Sequence, residues 1–216
     1  MLFKKVAESV YLLPAEGTSS NVYLIKSGKN ALVDAGQQAN GPRLEQALSE
    51  LSLKPNDIAM VLHTHGHADH FSGAYLFTKA EKIMSMHDAS FVNEKHEHFT
   101  AACVLGSDFY PEITSFYSKG QVIQVGGFKF EVVETPGHTN GSVSLYNRAR
   151  KILFSGDTLF KGAVGRYDLI SASKTDLRKS IKKLSKLDFY LLLPGHGRIL
   201  EGSQRENIEL GLKILE

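Results

Sequence analysis

The sequence predicts an α+β fold in which two sheets of mainly antiparallel strands pack face to face, with helices on the outer faces. Short apolar strands separated by turn residues occur in two groups, 6–33 and 122–154, and helical periodicity follows each group. Neither group can hide its apolar faces alone, and packing one against the other with helices outside buries both. No repeat, low-complexity tract or linker composition divides the chain, so residues 1–216 read as a single domain.

Taken in order, Val6 to Leu13, Asn21 to Ile25 and Ala31 to Val33 read as strands, broken by Gly17-Thr-Ser-Ser and Ser27-Gly28-Lys29-Asn30. Pro42 opens a helix carrying Leu44, Leu48 and Leu51 on one face, and Pro55-Asn56-Asp57 separates it from a strand over Ile58 to Leu62. A helical pattern through Tyr75, Leu76 and Lys79 precedes a strand from Lys82 to Met86. Residues 88–119 lack clean periodicity and read as a helical segment plus loop. Strands return at Val122 to Val125, Phe128 to Glu134, Ser142 to Tyr146 and Lys151 to Phe154. Ser173 with Asp176 forms a capping box before a helix with Leu177, Ile181 and Leu184, Phe189 to Leu193 is a final strand, and Ser203 with Glu206 caps the last helix.

Composition narrows the classes of function. With 216 residues, 42% of them hydrophobic, the chain can bury a core without staples, and Cys103, its single cysteine, cannot form an internal disulfide. Cys103 itself reads as a small buried hydrophobe. No stretch reaches the length of a membrane span, and Met1-Leu-Phe-Lys-Lys leads to Glu8 and Ser9 rather than to an apolar signal segment. The expectation is a cytoplasmic protein without membrane attachment. A net charge of +2 is too slight to seek phosphate, and Lys182, Lys183 and Lys186 fall on a solvated helix face, which argues against a nucleic-acid partner.

The chemistry concentrates in Val61-Leu62-His63-Thr64-His65-Gly66-His67-Ala68-Asp69-His70. An H-x-H pair on extended backbone places both imidazoles on one side, so His65 and His67 can grip one metal together. Gly66 and Ala68 leave room to turn, after which Asp69 and His70 can address a second position. Three further candidate ligands end apolar strands beside glycine: His138 in Thr-Pro-Gly-His-Thr, Asp157 in Ser-Gly-Asp, and His196 in Pro-Gly-His-Gly. His63 also stands two residues from His65, so it is either a ligand in a shifted register or a buried neighbour of the site. Asp34, in Val33-Asp34-Ala35-Gly36, is either a turn residue or a support for the metal loop. His87, His96 and His98 have no partner at ligand spacing.

The ordered set H-x-H-x-D-H, T-P-G-H-T, S-G-D-T-L-F and P-G-H-G resembles the metallo-β-lactamase-fold hydrolase superfamily over essentially the whole chain. The resemblance implies an αββα sandwich with a dinuclear metal site at one edge, His65, His67 and His138 holding one ion, Asp69, His70 and His196 the other, and Asp157 bridging. It also implies that Asp34 holds the metal loop by hydrogen bonds, and it gives His63 a buried or supporting place. Nitrogen and oxygen ligands without thiolate suit two divalent ions, zinc first, with iron(II) or manganese as alternatives. Such ions supply a hydroxide at neutral pH, with Asp69 as the catalytic residue that orients it or moves its proton. β-Lactamase activity is disfavoured because the cysteine ligand of the common lactamases is missing.

Gly156-Asp-Thr-Leu-Phe-Lys-Gly-Ala-Val-Gly-Arg-Tyr-Asp168 resembles a run of the glyoxalase II and persulfide dioxygenase branch. There a basic residue at the position of Arg166 contacts a carboxylate of glutathione; the alternative for Arg166 is a bracing pair with Asp168. Larger glyoxalase II enzymes carry a C-terminal helical extension that the sequence, ending at Glu216, does not show. The expected activity is therefore glyoxalase II-like hydrolysis of S-acyl thioesters of the S-lactoylglutathione type by a metal-bound hydroxide. The substrate is a small molecule, a thioester or carboxylate-bearing. A lactonase, or a persulfide dioxygenase with a single iron, is the alternative.

Overall fold

A computed structural model describes residues 1–216. The first half of the chain builds a seven-stranded sheet with its strands in chain order. They are β1 (Lys4–Ala7), β2 (Val10–Leu13), β3 (Val22–Ile25), β4 (Asn30–Val33), β5 (Ile58–Leu62), β6 (Glu81–Met84) and β7 (Ser115–Phe116). Strands β1 to β4 pair antiparallel and β4 to β7 pair parallel, so this sheet is mixed where mainly antiparallel pairing was expected. Parallel neighbours need a crossover. Helix α1 (Gly41–Glu50) supplies the one from β4 to β5, α2 (Ala68–Phe71) lies between β5 and β6, and α3 (Met86–Asn93) with α4 (Ala102–Leu105) lies between β6 and β7.

The second half builds a six-stranded sheet from β8 (Val122–Val125), β9 (Phe128–Glu134), β10 (Val143–Asn147) and β11 (Ile152–Gly156), with β14 (Leu191–Pro194) and β15 (Leu200–Glu201) on its far side. Only β11 and β14 pair parallel, across a connection that holds the small hairpin β12 (Leu159–Phe160) and β13 (Ala163–Val164) and helix α5 (Lys174–Leu184). Helix α6 (Gln204–Ile214) closes the chain.

Side-chain alternation assigns each sheet two apolar faces. Val10, Ile25, Val33 and Leu62 of the first sheet meet Phe130, Val143, Leu145, Phe154 and Leu193 of the second in the layer between the sheets. The other face of the first sheet, with Leu24, Leu32 and Val61, packs on Leu44, Ala47 and Leu48 of α1. The other face of the second, with Tyr146, Leu153 and Leu192, packs on Leu177, Ile181 and Leu184 of α5 and Ile208 of α6. The result is the expected αββα sandwich. No helix is long and apolar enough to cross a membrane.

Several local expectations are corrected. Val6 to Leu13 is a hairpin rather than one strand, because the chain turns at Glu8-Ser9 with Ser9 at φ 60°. The helix expected around Tyr75 to Lys79 begins earlier, as α2, and tightens into a 3₁₀ turn over Ser72–Leu76. The strand expected to reach Met86 stops at Met84, since Ser85 caps α3 by accepting the Asp88 N–H. Cys103 is exposed, not buried, on the outward side of the short α4, with Sγ 3.5 Å from His98 Nδ1.

The two predicted caps also part ways. Ser173 accepts the Asp176 N–H at 3.2 Å, whereas Ser203 sits in the left-handed region at φ 48° and its side chain caps nothing. Ser173→Ala should therefore cost about 1 kcal/mol, while Ser203→Ala leaves stability nearly unchanged. Urea unfolding of both variants measures the difference.

Candidate metal centre

The strand ends β4, β5, β11 and β14, with the turn between β9 and β10, meet at one edge of the sandwich and deliver the predicted residues there. His65, His67 and His138 form one cluster, His65, His70 and Asp157 a second, and Asp69, His70 and His196 a third, each with donor atoms within 4.8 Å of one another. His63 belongs to none of them: it is fully buried, neither ring nitrogen has a hydrogen-bond partner, and burial lowers its pKa to about 4. The shifted register through His63 is thus not the one the fold uses. His87, His96 and His98 also stay outside.

Hydrogen bonds on the far side of the rings determine which nitrogen faces inward. A carboxylate only accepts, so His70 Nδ1 carries the hydrogen that bonds Asp34 Oδ2 at 2.8 Å. The Arg166 carbonyl likewise accepts from His138 Nδ1 at 2.9 Å. Thr64 Oγ1 donates to Asp34 Oδ2 at 2.8 Å and so accepts from His65 Nδ1 at 3.1 Å. Each of these histidines therefore turns Nε2 toward the centre, which is how an outer-shell partner prepares a metal ligand. His67 instead presents Nδ1, 3.1 Å from His65 Nε2 and 2.9 Å from His138 Nε2. Nitrogens bound at about 2.0–2.1 Å to one ion stand roughly 3.0–3.4 Å apart, so this spacing is close to that of a ligand set.

Asp157 lies between the groups. Its Oδ1 is 3.3 Å from His70 Nε2, and its Oδ2 is 3.6 Å from both His138 Nε2 and His196 Nε2. Asp69 Oδ2 stands 3.0 Å from His196 Nε2. Asp157 Oδ1 is buried with His70 Nε2, at 3.3 Å, as its one polar neighbour, a thinly satisfied state for a carboxylate oxygen that a cation would relieve. Glycine is required at 195, where any Cβ would collide with Asp157 Oδ1 and His70 Cε1.

The charges suit cations. Burial, reinforced by neighbouring imidazoles, pushes His65 well below the ordinary histidine range and His67 down to about 4, which keeps both neutral and able to coordinate. Burial opposes charge on His70 as well, but Asp157, Asp34 and Asp69 around it raise its pKa well above the ordinary value. Burial would likewise raise Asp157, and the His70 charge overrides it and holds that carboxyl well below its usual range. A proton on His70 thus stands in for positive charge that three carboxylates demand. The residues present fit a pair of metal ions.

Asp34 anchors the arrangement. It sits at φ 56°, and its carboxylate accepts the Thr64 N–H at 2.8 Å besides the Thr64 hydroxyl and His70. It is therefore more than a turn residue. On the opposite side, Asn21 Nδ2 donates to the Pro194 and Gly197 carbonyls, and the Tyr23 hydroxyl donates to Pro194 O at 2.7 Å, fixing the turn that carries His196. Sequence reading misses Asn21 and Tyr23 because their partners lie over 170 residues away and no local spacing signals them. Arg166 is exposed and forms a two-pronged pair with Asp168, Nε to Oδ1 at 3.0 Å and Nη2 to Oδ2 at 2.9 Å. Two surface grooves lie elsewhere, one beside α5 and α6 and one beside β7, and contain none of the clustered residues.

Asp34→Asn tests the anchor without changing its backbone, since asparagine tolerates the left-handed region. Three donors would then face a single acceptor oxygen. Metal affinity should fall about ten- to hundredfold and the metal-free fold should lose about 1–3 kcal/mol, read by metal titration and urea unfolding.

The family model described as the metallo-beta-lactamase superfamily matches residues 15–196. The hydroxyacylglutathione hydrolase GloC of Haemophilus influenzae is 30% identical over 202 residues, covering 88% of this chain and 91% of that protein. A metallo-beta-lactamase family protein from Thermus thermophilus superposes with a TM-score of 0.83 at 24% identity, over 95% of this chain and 78% of that one. A further solved structure, described as a di-iron-bound form, has a TM-score of 0.73 at 26% identity, over 94% and 96% of the two chains.

Proposed function

The chain belongs to the metallo-beta-lactamase superfamily, and from that premise we propose that it is a glyoxalase II-like hydrolase of S-acyl thioesters. Its substrate is of the S-lactoylglutathione type, a small molecule bearing a carboxylate. The observation that carries this reading is the pair of ligand groups sharing Asp157, beside a relative named as a hydroxyacylglutathione hydrolase. His65, His67 and His138 would hold one ion and Asp69, His70 and His196 the other, with Asp157 shared between the two groups. Zinc is the proposed metal, with iron(II) as the competitor that the di-iron relative favours.

A pair of divalent ions in this setting lowers the pKa of water and polarises a carbonyl. The chain does the rest. Asp69 commits Oδ2 to the ligand group at 3.0 Å from His196 Nε2, which leaves its other oxygen to take the proton of the attacking water. His196 is the most accessible of these residues, with 31% of its side chain exposed against 0% for His70, so substrate approaches over His196. The ring of Phe160 stands edge-on to His196, 6.3 Å away, and offers an apolar wall there. Arg166 holds the substrate carboxylate: its present partner Asp168 is an exposed surface pair, which a better-placed carboxylate can replace.

Metal analysis of protein purified without chelator should find two transition-metal ions per chain, and Asp157→Ala should lose both. Incubation with S-lactoylglutathione should release free thiol, and chelation should abolish that release. One iron per chain with oxygen uptake on a glutathione persulfide would instead identify a dioxygenase, and turnover of lactones without thioesters would identify a lactonase. Arg166→Ala should raise KM for a carboxylate-bearing thioester about ten- to hundredfold and leave an uncharged ester nearly unaffected. Equal losses on both substrates would assign Arg166 to bracing the loop.

A further inference from the structure

Asp88, which plays no part in the ligand set, is fully buried at the third position of α3. An acidic residue there ordinarily serves its own helix. Here the helix start is capped by Ser85, whose hydroxyl oxygen accepts the Asp88 N–H, and the Asp88 carboxylate points away to other segments. Its Oδ2 accepts the Gly66 N–H at 2.9 Å and the Thr139 hydroxyl at 2.7 Å. Its Oδ1 accepts the Gly141 N–H at 2.9 Å and lies 3.2 Å from His87 Nδ1. Gly66 separates His65 from His67, and Thr139 follows His138. One carboxylate therefore ties together the two loops that supply all three histidines of the first group.

We propose that Asp88 is the positioning residue that sets the distance between these loops and thereby the affinity of the His65, His67 and His138 site for its ion. The inference rests on the metal-centre reading above. Two features make it specific. The chain approaches Asp88 closely on both sides: a Cβ at Gly141 would collide with its carboxylate, and one at Gly66 would lie 3.0 Å from its Cβ. The second group has other anchors, Asp34 on His70, and Asn21 with Tyr23 on the turn before His196. Loss of Asp88 should consequently be felt at one ion and not at both. Since His67 Nδ1 and His138 Nε2 are only 2.9 Å apart, a small parting of the loops is enough to spoil the pair.

The test is titration of the full metal-free chain with Co²⁺, following absorption and stoichiometry, with His138→Ala and His196→Ala as references for loss at each site. In Asp88→Asn the amide must turn its NH₂ toward a backbone donor. Affinity at the first site should fall about ten- to hundredfold, giving a spectrum like that of His138→Ala, while the other ion binds as in the wild type. Thr139→Val removes one of the four contacts without burying an unpaired charge and should lower the same affinity less, whereas Thr139→Ser should restore it. This second pair decides the matter if Asp88→Asn does not fold. Wild-type affinity at both sites in Asp88→Asn, or in Thr139→Val where that one does not fold, or equal weakening of both ions, would overturn the proposal. A wild-type chain that takes up no pair of ions would overturn the metal-centre reading itself.

Discussion

One buried carboxylate, that of Asp34, fixes the relation between the first sheet and the chemistry at its edge. It ends β4 in a left-handed conformation and gathers the Thr64 N–H, the Thr64 hydroxyl and His70 Nδ1. The parallel pairing of β4 with β5 makes this possible, because it brings the ends of two strands to the same edge, and the Asp34 N–H continues the ladder to Leu62 O at 3.0 Å. Through Thr64 the same carboxylate reaches His65, so the orientation of histidines in both ligand groups depends on it. The apolar layers on each side of the first sheet hold β4 and β5 in place and give these contacts their rigidity.

Division of labour follows from this arrangement. Asp34 serves both groups, Asn21 and Tyr23 steady His196, and Asp88 joins the loops of His65, His67 and His138. The ligands themselves come from strand ends, where glycine permits close approach and the sheet beneath supplies stiffness. Segments 94–108 and 165–172 contain no clustered ligand and lie outside the strands and long helices. Side chains there can vary with substrate preference so long as the backbone at Arg166, whose carbonyl accepts from His138 Nδ1, stays in place.

Much of the centre was legible in the sequence because its ligands are local: H-x-H-x-D-H places four candidates in six residues, and Thr-Pro-Gly-His, Ser-Gly-Asp and Pro-Gly-His each follow an apolar strand. The residues behind them were not. Asn21 finds its partners across the sandwich, and Asp88 looks like an ordinary helix-start acid until its carboxylate is seen to accept from two other loops. Fold class was legible from the two apolar meanders, whereas the parallel half of the first sheet depends on crossovers whose course periodicity does not specify. Ser203 and Glu206 match a capping pattern that the left-handed backbone at Ser203 defeats. The short α4 exposes Cys103 because its buried side is already taken by Ala102, packed with Phe71 and Met84.

The clustered donors are contributed from both sides of the sandwich. His65, His67, Asp69 and His70 follow β5 of the first sheet, while His138, Asp157 and His196 follow β9, β11 and β14 of the second. Ions gripped by both sets would act mechanically, as a clasp resisting shear of one sheet over the other in a chain whose lone cysteine cannot staple them. An ion present at a thousand times its dissociation constant adds about 4 kcal/mol to the folded state, a substantial share of what holds an ordinary domain together. The metal-binding edge of this molecule would thus also be its fastening.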